Sequence, residues 1–187
     1  MRLDPTRLLL WGGAAALAFT LHSPYAAAEA IAASDSRALT TVRALAAAGL
    51  PPQDEAGFAR WLAAVHERCA AAGLPPEALP APVDGARERV RLAAGEWLFL
   101  VARAPALPGE SPPPETLLEA WAWPRDDAAR SNTVFCARPE GTWATRNLTG
   151  RYSGERAPEP GGARRRKPES TEPDYWGVDG QFWRRHP

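Results

Sequence analysis

The sequence has almost no lysine: Lys167 is the only one, and the other 21 of its 22 basic residues are arginines. Those basic residues are balanced by 22 acidic ones. A neutral chain has no overall field to hold nucleic acid or a membrane surface, so an electrostatic partner has to be met by a local patch. The use of arginine, with abundant alanine, glycine and proline, is typical of a GC-rich bacterial genome.

Histidines and catalytic motifs are also scarce. After residue 30 the histidines are His66 and His186. The sequence has no Gly-x-Ser-x-Gly elbow, phosphate-binding glycine loop, dinucleotide fingerprint or His-Glu-x-x-His pair. We therefore predict no catalytic residue, no cofactor and no metal, and we favour a protein that is not an enzyme.

The first thirty residues have the order of a secretory signal peptide. Arg2 and Arg7 form a basic start, residues 8–21 are apolar and uncharged, and small residues follow. We expect cleavage after Ala28 or Ala30 and a periplasmic or secreted protein. The apolar stretch has about 14 residues and a membrane-spanning helix needs about 20, so a retained anchor is the less favoured alternative.

Two cysteines, Cys69 and Cys136, occur in the chain, and no Cys-x-x-Cys pair for redox exchange or haem attachment is present. A minimal even number in an exported chain favours one disulfide. Closing a loop of about 67 residues would stabilise the fold by roughly 4 kcal/mol in the chain-entropy model. We therefore predict a Cys69–Cys136 bond.

Two helices are predicted before residue 73. Residues 34–50 are rich in alanine and leucine and end at Gly49 before two prolines. Residues 54–72 carry an apolar stripe at helical spacing, which consists of Phe58, Leu62, Val65 and Cys69. The short connection between these segments indicates an αα-hairpin.

The middle of the chain predicts antiparallel strands. Residues 97–102 are apolar on both alternating faces, and residues 116–123 alternate as a strand does, with a short helix as the alternative. Arg138-Pro139-Glu140-Gly141 suits a type I turn between strands at 132–137 and 142–148. Residues 83–94 show no clear pattern. The predicted fold is α+β, with the helices packed on a meander of three or four strands.

The composition changes after Tyr152. Residues 153–174 contain few apolar side chains, which predicts a disordered linker, because too little surface can be buried to offset chain ordering. The predicted organisation is a signal peptide over residues 1–30, a globular domain over 31–152, this linker, and an aromatic segment over 175–187. The basic run at 164–167 is a candidate contact for anionic lipid, an acidic envelope polymer or an acidic partner, although nearby acidic residues favour a solvated linker.

The aromatic segment is expected to dock, because large aromatic side chains beyond a tether do not usually stay in water. Docking on the protein's own sheet is favoured by the high effective concentration of a tethered segment, and docking on a partner is the alternative. The sheet tryptophans near Glu119 are typical of sugar-binding grooves, although packing between strands is their more frequent role. The candidate binding residues are Trp121, Trp123, Trp143, Tyr175, Trp176, Phe182 and Trp183.

The sequence thus favours a non-catalytic binding or accessory module of the bacterial cell envelope. An envelope protein or a glycan is the expected partner, with no nucleic acid and no stable membrane span after signal cleavage. The alternative is a small exported hydrolase or metal-dependent enzyme that uses His66, Glu119 or the cysteine pair. In that alternative His66 and Cys69, three residues apart on a helix, supply two zinc or copper ligands and Cys136 a third.

Overall fold

The computed structural model describes residues 5–86, 89–106, 117–126, 131–166 and 171–187. The chain divides into two compact units, Met1–Asp35 and Ser36–Pro187. The first unit is helical from Pro5 onwards and contains both predicted cleavage sites, which stay predictions. Within the described residues, no helix combines the length and the apolar composition that crossing a membrane requires.

The structure has two long helices, as predicted. Helix α1 spans Pro5–Ala48, so the predicted helix over residues 34–50 is its last part, and Gly49 follows it with a φ of 76°. Helix α2 spans Glu55–Ala71, and the Oδ1 of its N-cap, Asp54, accepts a hydrogen bond from Gly57 N at 2.7 Å. The buried residues of α2 are Gly57, Trp61, Val65 and Cys69.

The helices accompany an antiparallel sheet that has eight strands in the described part of the chain. The strands are β1 Ala81–Ala86, β2 Arg89–Ala94, β3 Trp97–Arg103, β4 Leu118–Pro124, β5 Thr133–Arg138, β6 Gly141–Arg146, β7 Tyr175–Trp176 and β8 Phe182–His186. Their order across the sheet is β1-β2-β3-β4-β5-β6-β8-β7. The predicted α+β class is confirmed, but a meander of three or four strands is an undercount. The additional strands come from residues 83–94, which gave no clear pattern, and from the aromatic tail.

Both faces of the sheet are covered, which explains why β3 is apolar on both of its sides. One face packs against the helices, and we call these residues the helix-side core; it includes Val42, Leu45, Trp61, Val65, Cys69, Phe99, Val101, Ala120 and Phe135. The other face forms the second core, which includes Leu100, Trp121, Trp123, Val134, Cys136, Trp143, Tyr152, Ala163, Tyr175 and Trp183.

The second core is covered by residues that the sequence assigned to a linker and a tail. Ala163 is fully buried, and its carbonyl accepts a hydrogen bond from the Tyr175 hydroxyl at 2.9 Å. Residues 153–166 therefore pack on the sheet through buried positions that include Ser153 and Ala163, which differs from the predicted disordered linker, whereas residues 171–173 are exposed. The composition argument missed this because the segment packs through backbone groups and small residues. The rest of the basic run and of the linker, residues 167–170, lies outside the described residues.

The predicted disulfide is wrong: Cys69 and Cys136 are both free and buried. Cys69 lies on α2 in the helix-side core, whereas Cys136 lies on β5 in the second core. Side chains alternate between the two faces along a strand, so Phe135 and Ala137 meet the helices and Cys136 points to the opposite side. The sheet therefore separates the two thiols.

Candidate functional site

The three sheet tryptophans of the predicted binding set are buried structural residues. Each indole N–H donates a hydrogen bond within the protein: Trp121 to Glu119 Oε2 at 3.1 Å, Trp123 to the Gly154 carbonyl at 3.0 Å, and Trp143 to the Pro173 carbonyl at 3.2 Å. A sugar-binding groove needs exposed aromatic faces, and these are covered by the C-terminal segment.

Glu119 lies in the same covered layer and is fully engaged there. Its carboxylate accepts hydrogen bonds from Arg138 Nε at 3.1 Å and from Gly161 N at 2.7 Å, in addition to Trp121. Burial alone would lower the pKa of Arg138, but neighbouring Cys136 and Glu119 raise it above its usual value, so the guanidinium stays charged. Glu119 therefore joins β4 to the covering segment and is not available as a catalytic acid.

The structure does not bring together the alternative metal ligands. His66 Nε2 lies 2.7 Å from the Pro80 carbonyl oxygen, and the sheet lies between Cys69 and Cys136. Among the described residues, no group of three or more His, Cys, Asp or Glu side chains is placed to hold a metal ion. Burial raises the pKa of the Cys69 thiol, and burial followed by the Glu119 charge raises that of Cys136, so both are poor nucleophiles.

The tail aromatics separate into buried and exposed members. Tyr175 and Trp183 point into the second core, whereas Trp176 is 60% exposed and Phe182 is 37% exposed. The rings of the exposed pair lie on paired positions of β7 and β8, with their centroids 5.5 Å apart. The turn after β7 adds Val178, which is 55% exposed. These three residues form an apolar surface on the side of the hairpin that faces away from the core.

Part of the predicted linker extends this surface through an isolated β-bridge next to β7. Arg166 N donates to the Trp176 carbonyl and Val178 N donates to the Arg164 carbonyl, both at 2.9 Å, and Arg165 forms a bridge with Gly177. Arg165 points inward, with its guanidinium 4.3 Å from the Tyr175 ring centroid, so its neighbours lie on the opposite side. We call this surface the outer hairpin face; it consists of Arg164, Arg166, Trp176, Val178, Phe182 and Arg184.

The outer hairpin face is held in place by Asp179. Its Oδ1 accepts hydrogen bonds from Gln181 N at 3.0 Å and from Trp183 Nε1 at 3.2 Å, and its Oδ2 accepts one from the Tyr152 hydroxyl at 2.7 Å. A Cβ at Gly177 would lie 2.4 Å from Asp179 Oδ1 and 2.8 Å from the Trp183 ring, so only glycine fits there. The turn is therefore closely packed, and Trp176 and Phe182 are exposed on an ordered support.

A cleft of about 440 Å³ adjoins this face and shares two residues with it, Arg164 and Val178. Its other lining residues include Arg151, Tyr152, Glu159 and Asp179. Arg151 Nη1 donates to the Asp179 carbonyl at 2.5 Å, and burial, followed by the hydrogen bond to Asp179, raises the pKa of Tyr152 well above its usual value. Tyr152 thus remains a neutral hydrogen-bond donor at physiological pH.

Sequence reasoning identified Trp176 and Phe182 as candidate binding residues and the basic run that contains Arg164 and Arg166 as a candidate contact, but it did not single out Val178 or Arg184. Alternation along residues 175–178 separates the outward Trp176 and Val178 from the inward Tyr175 and Gly177, and this signal was present in the sequence. Comparison with known protein families, curated proteins and solved structures finds no match for this chain.

Proposed function

We propose that this protein is a non-catalytic binding module of the bacterial cell envelope and that it acts through the outer hairpin face. The exposed, ordered pair of Trp176 and Phe182 is the observation that carries this proposal. Exposed aromatic side chains clustered on one surface mark sites of interaction, whereas single exposed apolar residues are ordinary.

The arrangement of the polar groups supports binding over catalysis. Glu119 is held by three donors inside the core, and His66 is engaged with the Pro80 carbonyl. The hydrolase alternative needs a nucleophile or an activated water beside a base. Of the residues that the sequence offered for that role, Cys69 lies in the helix-side core, whereas Glu119 and Cys136 are buried near each other on the opposite side of the sheet.

The proposal is tested by sedimentation of the mature protein, recovered from native cells, with isolated envelopes. Trp176→Ser combined with Phe182→Ser should move most of the protein from the pellet to the supernatant. The matched control is Val83→Ser with Leu148→Ser, which removes two other exposed apolar side chains, 54% and 73% exposed. Equal sedimentation of the wild type and the Trp176/Phe182 variant would contradict the proposal, as would an equal loss in the control.

The envelope location is tested separately, because it rests on the predicted signal peptide. N-terminal sequencing of the native protein should begin after Ala28 or Ala30. An intact Met1 in the soluble cytoplasmic fraction would refute export.

A further inference from the structure

The outer hairpin face continues the side of the sheet that the helices cover elsewhere. Arg184 on β8 pairs with Ala144 on β6, and paired residues of antiparallel strands share a face. Ala144 packs against the helix-side core, whereas Trp176, Val178 and Phe182 remain exposed on the hairpin. Among the described residues, the apolar side chains of this part of the sheet are therefore exposed to solvent, whereas α1 and α2 cover the rest of the same side.

Charge at the margin of the face is mostly positive. Arg164 and Arg166 lie on one side of the apolar residues and Arg184 on the other, with its guanidinium 5.8 Å from the Phe182 ring centroid. Three acidic side chains lie near the face: Asp174, just before β7, accepts a hydrogen bond from Arg185 N at 2.9 Å, Asp179 holds the turn, and Glu159 lines the adjoining cleft. The arrangement is an apolar centre with a cationic margin, and it complements a surface that is apolar inside and anionic at its boundary.

The size and chemistry of the face favour a lipid surface over a protein or a glycan. A stable protein interface uses about 20–30 residues on each side, and this face supplies six. A glycan site needs hydrogen-bonding groups beside its aromatic rings to orient the sugar hydroxyls, and the polar side chains of this face are arginines at its margin. Tryptophan and phenylalanine prefer the boundary between lipid headgroups and acyl chains. Arginine can place its aliphatic stem there while its charge stays with the phosphates.

We infer that the outer hairpin face docks peripherally on a bilayer that contains anionic phospholipid. Trp176, Val178 and Phe182 enter the headgroup boundary, and the exposed Arg166 and Arg184 contact lipid phosphates. This inference rests on the proposed function and adds the class of partner to it. The attraction of several arginines to an anionic leaflet is additive and is screened by salt, so binding depends on lipid charge and on ionic strength.

The test is cosedimentation of the mature protein from native cells with phosphatidylcholine vesicles, with and without phosphatidylglycerol. The wild type should bind the vesicles that contain phosphatidylglycerol, and added salt should release it. Trp176→Ser with Phe182→Ser should weaken binding by about tenfold or more, because two side chains no longer leave water. The Val83→Ser/Leu148→Ser variant should bind as the wild type does.

The charge requirement has its own matched pair of variants. Arg166→Gln with Arg184→Gln should remove most of the preference for phosphatidylglycerol. Arg60→Gln with Arg68→Gln, which removes the same charge from exposed positions of α2, should leave that preference nearly intact. If the double aromatic variant does not melt as the wild type does, Trp176→Ser alone replaces it. A spectroscopic readout is quenching of Trp176 by brominated lipid, which Trp176→Phe should abolish.

Absence of vesicle binding by the wild type would overturn the inference, and so would binding that is unaffected by the Trp176 and Phe182 substitutions. If the same substitutions still release the protein from isolated envelopes, the partner is a protein or a glycan and the proposed function stands. If the Trp176 and Phe182 substitutions release the protein neither from the vesicles nor from the envelopes, both the proposed function and the lipid inference are wrong.

Discussion

Trp183 on β8 packs edge-on against Trp121 on β4, with ring centroids 5.4 Å apart and an interplanar angle of 81°. Both side chains are fully buried, so a strand of the C-terminal hairpin supplies a central part of the second core. This contact shows that the C-terminal hairpin belongs to the fold.

Trp183→Ala should therefore lower the free energy of unfolding by about 3–5 kcal/mol, the usual range for removing a buried tryptophan. Trp176→Ala, on the same hairpin, should cost less than about 0.5 kcal/mol, because its side chain is mostly in solvent. Urea unfolding of the two variants measures both values. Similar losses in both would show that the hairpin does not pack as described.

The ion pair between Glu119 and Arg138 provides a second comparison. Glu119→Gln should destabilise the protein by about 3 kcal/mol, because it leaves the Arg138 charge buried without its carboxylate partner. Glu140→Gln removes the other carboxylate near Arg138, which is 53% exposed and 3.6 Å away, and should cost less than about 0.5 kcal/mol. Chemical denaturation of both variants checks the prediction, and a larger effect at Glu140 would contradict it.

Both thiols of the folded protein should resist alkylation. The side chains of Cys69 and Cys136 are buried, and burial raises the pKa of each, so little thiolate is present and the reagent has no access. Mass spectrometry should find two modifications only after unfolding, and a reducing agent should leave the melting temperature unchanged. A disulfide found under non-reducing conditions would instead support the prediction from sequence and contradict the structure.

The raised pKa values of two buried tyrosines imply that the stability of the protein changes at alkaline pH. Burial raises the pKa of Tyr175 to about 12 and also raises that of Tyr152. A phenol is neutral while it is protonated, and burial favours that neutral form. The stability that this contributes is therefore complete below the phenol pKa of the unfolded protein, about 10, and is lost as the pH rises through the higher pKa of the folded protein. The free energy of unfolding should fall between about pH 10 and 12.

Phenolate absorbance of the native and the urea-unfolded protein measures this shift directly. Tyr152 and Tyr175 should ionise at higher pH in the native protein, and Tyr175→Phe should remove part of the difference. Ionisation of both phenols near pH 10 in the folded state would contradict their burial.

Helix α2 and strand β3 were predictable because their signals are local. Asp54 caps α2, an apolar stripe follows it, and the apolar residues of β3 require cover on both faces whatever provides it. Pairing along β5 and β6 was also local, since the turn at Pro139 connects neighbouring strands.

The covering segment was not predictable from such signals. Gly161 N donates a hydrogen bond to Glu119 Oε2, although the two residues are 42 positions apart in the sequence. The composition of a segment does not show which of its backbone amides will bind a buried side chain. The prediction of a Cys69–Cys136 disulfide was wrong for a related reason. The count and the compartment favoured a bond, but the face on which each thiol lies depends on which residues cover each side of the sheet.

The burial of Trp121 and Trp123 by Tyr152, Ala163, Tyr175 and Trp183 has a consequence for biosynthesis. These two tryptophans are synthesised before the residues that cover them, so a growing chain cannot close the second core until Trp183 has been added. Partly synthesised chains therefore expose aromatic strands to their surroundings, and such exposed apolar surface favours aggregation until the cover is in place.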